Sequence, residues 1–116
     1  MKNFFKKLAK YVVAAYANRL YRKAVKIADK RHEQERTTIY VLSSFRNSSV
    51  LTTCNRTEFR RMKMACHIYF HHIDKLKEGC WYHTGDARER NGMSAADKEA
   101  RRIAFMRMLL KRAKLV

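Results

Sequence analysis

A chain of 116 residues with 27 Lys and Arg against 10 Asp and Glu, a net +17, has room for one modest domain and not two. The surplus lies far above the ~2–8 charges that solubility asks for, so an anionic partner is expected. No proline, three glycines and 47% apolar residues permit a packed core and long helices, and three cysteines, an odd count in a chain poor in turn residues, argue against a disulfide framework and for free thiols in a reducing setting.

Residues 1–36 hold 11 basic and 3 acidic side chains. The spacing predicts one long helix over 3–35, or two in line, with an apolar stripe of Phe5, Ala9, Val12, Tyr16, Leu20, Ala24 and Ile27 at steps of three and four. Arg19, Arg22, Lys23, Lys26 and Lys30 follow beside it as a basic stripe over about three turns. The opening MKNFFKKLAKYVVAAYANRL has the charge order of a signal, and Ala15-Tyr16-Ala17 has the look of a cleavage site. Its unbroken apolar run covers only Tyr11 to Ala17, far below the ~20 residues of a membrane span, so a folded helix is expected. Phe4, Phe5, Leu8, Val12 and Tyr16 among lysines would also suit the plane of a membrane surface. The expectation taken is that they pack inward, because a short chain needs its longest helix for the core.

TTIYVLSSFRNSSVLTTC is rich in β-branched residues and carries one charge, Arg46. Strands are predicted over 38–43 and 50–54 around a turn at Arg46-Asn47-Ser48, and helices should cover them, since a lone hairpin is marginal in water. NRTEFRRMKMAC opens a second helix, with Asn55 and Glu58 spaced as a capping box. Phe59 and Met62 face inward there, and Arg56, Arg60, Arg61 and Lys63 outward. The apolar run HIYF that follows suits helix or strand. A short helix over 73–78 should stop at Gly79. Residues 79–93 read as loop, apart from Cys80-Trp81-Tyr82, a core plug with Trp81 against the hairpin and a helix.

The clearest helix is the last, MSAADKEARRIAFMRMLLKRAKLV. Ser94 and Asp97 repeat the capping spacing, and Ala96, Ala100, Ile103, Met106, Leu110 and Ala113 predict its buried stripe. Arg101, Arg102, Lys111, Arg112 and Lys114 crowd it with positive charge. Phe105 among them is expected in the core rather than as a stacking platform.

Residues 66–86 hold four of the five histidines and two of the three cysteines. Zinc takes four N or S ligands, and the best set is His67 with His71, then Cys80 with His83. The first pair works only on a helix, where residues four apart lie ~5–6 Å from each other. There is no second C-x-x-C, and Ile68 stands where a catalytic Glu would be needed. The histidines are therefore expected to pair with backbone groups, the cysteines to fill core, and no metal or other cofactor is expected. Cys54 precedes a helix start that would stabilise a thiolate, but no base is placed beside it. No Gly-rich phosphate loop is present, so neither catalysis nor a small-molecule substrate is expected.

Together IYVLSS…SSVLTTCNRTEFRRMKM, GCWYHT and NGMSAADKEARRIAFMRMLLKRAK resemble small basic uncharacterised proteins of the crAss-like tailed phages of gut Bacteroides, over roughly residues 38–114. The resemblance implies no catalytic residues. It implies a context: a phage-encoded protein in the virion or on phage nucleic acid, hence in the host cytoplasm or the particle.

The expected fold is α+β and mostly helical: a long N-terminal helix, a two-stranded β-hairpin, a middle helix or helices and a C-terminal amphipathic helix. It forms one small basic domain over 1–116, divided as helix 1–36, hairpin 37–54 and helical remainder 55–116. The expected function is non-catalytic association with nucleic acid or nucleoprotein, as a minor virion component. Phosphates would be met by Arg19, Arg22, Lys23, Lys26 and Lys30, by Arg60 and Arg61, and by Arg101, Arg102, Lys111, Arg112 and Lys114. The alternative is a structural protein docking basic helices on acidic protein partners in a capsid or connector, and a third reading is membrane-surface binding through the N-terminal helix.

Overall fold

A computed structural model of the chain describes residues 2–44, 47, 49–66 and 76–115. With no proline anywhere and no glycine before residue 79, nothing interrupts the first helix. α1 runs unbroken over Lys2–Glu35. At 1.5 Å per residue it is about 51 Å long, almost the whole 53 Å long axis of the molecule. It ends on Arg36 at φ 55, whose N–H donates to the His32 carbonyl at 2.8 Å. That is the left-handed stop that glycine usually supplies.

β1 (Tyr40–Ser43) and β2 (Leu51–Cys54) pair antiparallel, with Tyr40 opposite Cys54 and Ser43 opposite Leu51. The expected two-stranded hairpin is a three-stranded sheet. β3 (Tyr82–His83) joins the free edge of β1, giving the order β2-β1-β3. Two residues are too few to show a strand period, so only the apolar character of that stretch was legible. As the central strand, β1 is covered on both faces, which is why it reads as a continuous apolar run. Ile39 and Val41 pack on Ala24 and Ala28 of α1. Tyr40 and Leu42 alternate to the other side and pack with Cys54, Phe59, Leu76 and Cys80. Phe59 and Leu76 belong to α2 (Arg56–Cys66) and α3 (Leu76–Gly79), so helices lie on both sides of the sheet.

α2 starts on the expected reciprocal cap. Asn55 Oδ1 accepts the Glu58 N–H at 2.8 Å, and Glu58 Oε1 accepts the Asn55 N–H at 3.0 Å. α4 (Ala95–Arg112) starts on Ser94, whose Oγ accepts the Asp97 N–H at 3.2 Å. It runs antiparallel to α1: Tyr21 donates to the Lys98 carbonyl, and Arg102 reaches Asn18.

Both predicted apolar stripes are corrected by rotation. In α4 the buried residues are Phe105, Leu109 and Leu110. Of the predicted stripe Leu110 is buried, Ala96, Ala100 and Ala113 are exposed and Ile103 and Met106 half-buried, so the core face is turned by roughly a quarter of a turn. In α1 the buried residues are Ala17, Tyr21, Ala24, Val25, Ala28 and His32. Of the predicted stripe only Ala24 is buried, and Phe5, Val12, Tyr16 and Ile27 are exposed. Ala24 and Ala28 let α1 lie close on the sheet, and Ala17, Tyr21 and Val25 pack with Phe105 and Leu109 of α4. Packing against α4 extends along α1 as far as Val13. Trp81 stands between sheet and helix as expected, half-buried rather than buried. Its Nε1 donates to Ser43 Oγ at 2.8 Å, and its ring meets Phe105 edge-on at 5.4 Å. Among the described residues no helix is long and apolar enough to cross a membrane.

Candidate nucleic-acid interface

The burial of Ala17, Tyr21, Ala24 and Ala28 fixes which side of α1 faces outward. At 100° per residue, Arg19, Arg22, Lys23, Lys26 and Lys30 fall within about a third of the circumference, centred opposite that buried line. All five are exposed, and none has an ion-pair or hydrogen-bond partner among the described residues. A shallow cleft along this face is lined by Ala15, Asn18, Arg19, Arg22, Lys23 and Lys26. Asp29 and Glu33 follow at its C-terminal end, and Asp29 accepts a hydrogen bond from the Tyr82 hydroxyl at 2.6 Å. Side chains spaced about one per turn, with free guanidinium and ammonium groups, can neutralise a row of phosphates.

The other sequence-predicted cations divide. Arg60 and Arg61 are exposed on α2, across the sheet from α1. Lys111, Arg112 and Lys114 are exposed at the end of α4, where Arg112 Nη1 approaches Asn47 Oδ1 at 3.4 Å. Arg101 and Arg102 are half-buried and paired within the fold. Arg101 Nη1 donates to the carbonyls of Lys77 and Cys80 at 2.7 and 2.8 Å, satisfying the end of α3. Arg102 holds the Glu99 carboxylate and Asn18 Oδ1. Both lie on the α4 face that carries Phe105, and the rotation of that face hid their role.

Arg31 is a structural cation that the sequence reading missed. Its guanidinium donates to Glu35, to Glu58 and to the Thr53 carbonyl, tying α1, β2 and α2 together. Those contacts hold Glu35 below the usual carboxylate range, and Glu58 is lowered by the same guanidinium against the opposing effect of burial.

Of the four zinc candidates, His67 and His71 lie outside the described residues. Cys80 Sγ donates to the Lys77 carbonyl and accepts from Arg101, and His83 Nδ1 pairs with the Thr84 carbonyl at 3.1 Å. Burial pushes the Cys80 thiol up and the His83 imidazole down. Among the described residues no three His, Cys, Asp or Glu side chains converge on a point. Cys54 is buried, and its thiol is pushed up to about 12; desolvation outweighs the helix start that was expected to favour a thiolate.

The fifth histidine, His32, lies outside the Cys/His-rich stretch and joins the end of α1 to the loop that follows β3. His32 is buried in the last turn of α1. Its Nδ1 pairs with the Thr37 carbonyl and its Nε2 with Glu89 Oε1, each at 2.8 Å. The only sequence signal was its position on the face that also carries Ala24 and Ala28. No protein-family model, curated protein or solved structure matches this chain.

Proposed function

We propose that the chain is a non-catalytic, sequence-independent nucleic-acid-binding protein whose principal contact is the outward face of α1. The observation that carries this reading is five exposed cations on one helix face, none with an ion-pair or hydrogen-bond partner among the described residues and against only Asp29 and Glu33 at its C-terminal end. Lys111, Arg112 and Lys114 on α4, with Arg60 and Arg61 on α2, supply further contacts. Each neutralised phosphate releases condensed counterions, which supplies affinity without reading bases. In the virion context that the sequence resemblance implies, such a protein coats or seats packaged nucleic acid.

The test is the salt dependence of duplex DNA binding, for the native protein and for the triple variant Arg22→Glu/Lys23→Glu/Lys26→Glu. Log affinity should fall linearly with log salt at ~0.9 per phosphate contact, and the variant's slope should be smaller by about two to three. No binding at ~100 μM protein in near-physiological salt, or a slope that the triple reversal leaves unchanged, overturns the reading. The first of those results would point to acidic protein as the partner.

A further inference from the structure

Ahead of Ala17, α1 presents a surface that phosphate binding does not use. Phe4, Phe5, Leu8, Tyr11, Val12 and Tyr16 are 66, 62, 50, 74, 57 and 57% exposed. At 100° per residue they share one side of the helix, while Lys6, Lys7 and Lys10 fall on the other. No Asp or Glu occurs between residues 2 and 28. The segment is thus amphipathic and its only charges are basic, and none of the described helices or strands covers its apolar face.

We propose that residues 4–16 of α1 form an in-plane anchor for an anionic lipid bilayer. The aromatic and aliphatic side chains would seat at the headgroup–acyl boundary, and the lysines would stay among the headgroups. Three observations select this occupant. Leu8 and Val12 lie near the middle of the face, and such aliphatic groups gain nothing from phosphates or from stacking on bases, whereas they gain from an apolar medium. A second copy of the chain would bring two all-basic segments together with no acidic residue on either to offset the repulsion. Finally, the apolar residues lie on the same outward side of α1 as Arg19, Arg22, Lys23 and Lys26. A planar anionic surface therefore meets the apolar half and the basic half of one straight helix at once. The segment is too short to span, so it lies on the surface.

The test uses the full chain with vesicles of phosphatidylcholine alone or mixed with phosphatidylglycerol. Co-sedimentation should show binding to the mixed vesicles and much weaker binding to the neutral ones. Phe5→Ser/Leu8→Ser/Val12→Ser should lower partitioning by ~10-fold or more. Because those side chains are exposed, the melting temperature and the affinity for duplex DNA should stay near the native values. A native protein that ignores anionic vesicles overturns the proposal, as does a triple variant that partitions like the native chain. Loss of a dimer in that variant, with vesicle binding unchanged, would assign the face to a second copy. Loss of oligonucleotide affinity alone would assign it to nucleic acid. Should the triple variant fail to fold, Val12→Trp decides: emission shifted to the blue on anionic vesicles supports the anchor, and unshifted emission overturns it.

Discussion

At His32 the end of α1 closes on the loop that follows β3, and the contact has a pH signature. The Thr37 carbonyl first, and then the Glu89 carboxylate, raise the His32 pKa against the opposing effect of burial. A histidine raised in the fold stabilises it fully below its unfolded value of ~6.5, and that contribution is lost as pH rises through the folded pKa. His83 works the other way. Burial lowers its pKa, so its contribution is present above ~6.5 and is lost as pH falls through its folded value. Glu89→Gln keeps a hydrogen-bond partner and removes the charge. It should move the His32 titration toward the ordinary range in an NMR pH series. It should also lower stability near pH ~5.5 by under ~1 kcal/mol, since Glu89 is 62% exposed and screened, and leave stability near pH ~8.5 nearly unchanged. Equal losses at both pH values would show that the ion pair contributes nothing. Trp81 offers a larger effect. Its ring packs on Phe105, its indole N–H holds Ser43, its backbone N–H donates to Val41, and its carbonyl accepts from Tyr21. Trp81→Ala should cost ~3 kcal/mol in a urea titration, the low end for a large aromatic because the ring is half-buried. A midpoint unchanged from the native protein would make the residue a surface contact.

The elements themselves were legible where the signal is local. Both helix caps, the α1 span and the α4 start follow from residues within a turn of one another, and caps work through the nearest backbone N–H groups. Registers depend on what lies across the fold, which local sequence does not encode. α1 carries two apolar faces about half a turn apart, Phe4 to Tyr16 outward and Ala17 to Ala28 inward. A single stripe drawn at steps of three and four ran between them. Arg101 looked like surface because its partners, the carbonyls of Lys77 and Cys80, sit more than twenty residues away. The helix ends carry a prediction of their own. Arg36 and Lys114 hold φ near +55 without being glycine, and an L side chain pays a steric penalty there. At α4 the stop is completed by Leu115 N–H to the Leu110 carbonyl and Lys114 N–H to the Lys111 carbonyl. Arg36→Gly should raise the urea midpoint by about 0.5–1 kcal/mol in stability, the relieved strain being partly offset by glycine's greater freedom when unfolded. A fall in stability would mean that the Arg36 side chain contributes more than its backbone strain costs.

For the whole molecule the decisive quantity is +17 on 116 residues, and it makes folding and binding respond to salt in opposite directions. The free protein repels itself. The ion pairs seen among the described residues, Arg31 with Glu35 and Glu58, Arg102 with Glu99, and His32 with Glu89, each have at least one partly exposed partner and contribute at most ~1 kcal/mol. Screening should therefore relieve more repulsion than it removes attraction. The nucleic-acid-free protein should melt higher as NaCl rises from ~20 mM to ~0.5 M, over which the Debye length shrinks from roughly 20 to 4 Å. A bound duplex stabilises by mass action, and salt weakens its affinity. Melting curves with and without DNA should thus differ most at low salt and converge at high salt. Arg22→Glu/Lys23→Glu/Lys26→Glu drops the net charge from +17 to +11 at exposed positions on α1. It should raise the low-salt melting temperature of the free protein and shrink the increment that DNA adds. A variant that merely damages the fold lowers the first quantity, and one outside the binding face leaves the second unchanged. Opposite movement of the two in one variant is the outcome expected only if the outward face of α1 is both a main source of the self-repulsion and the place where polyanions relieve it.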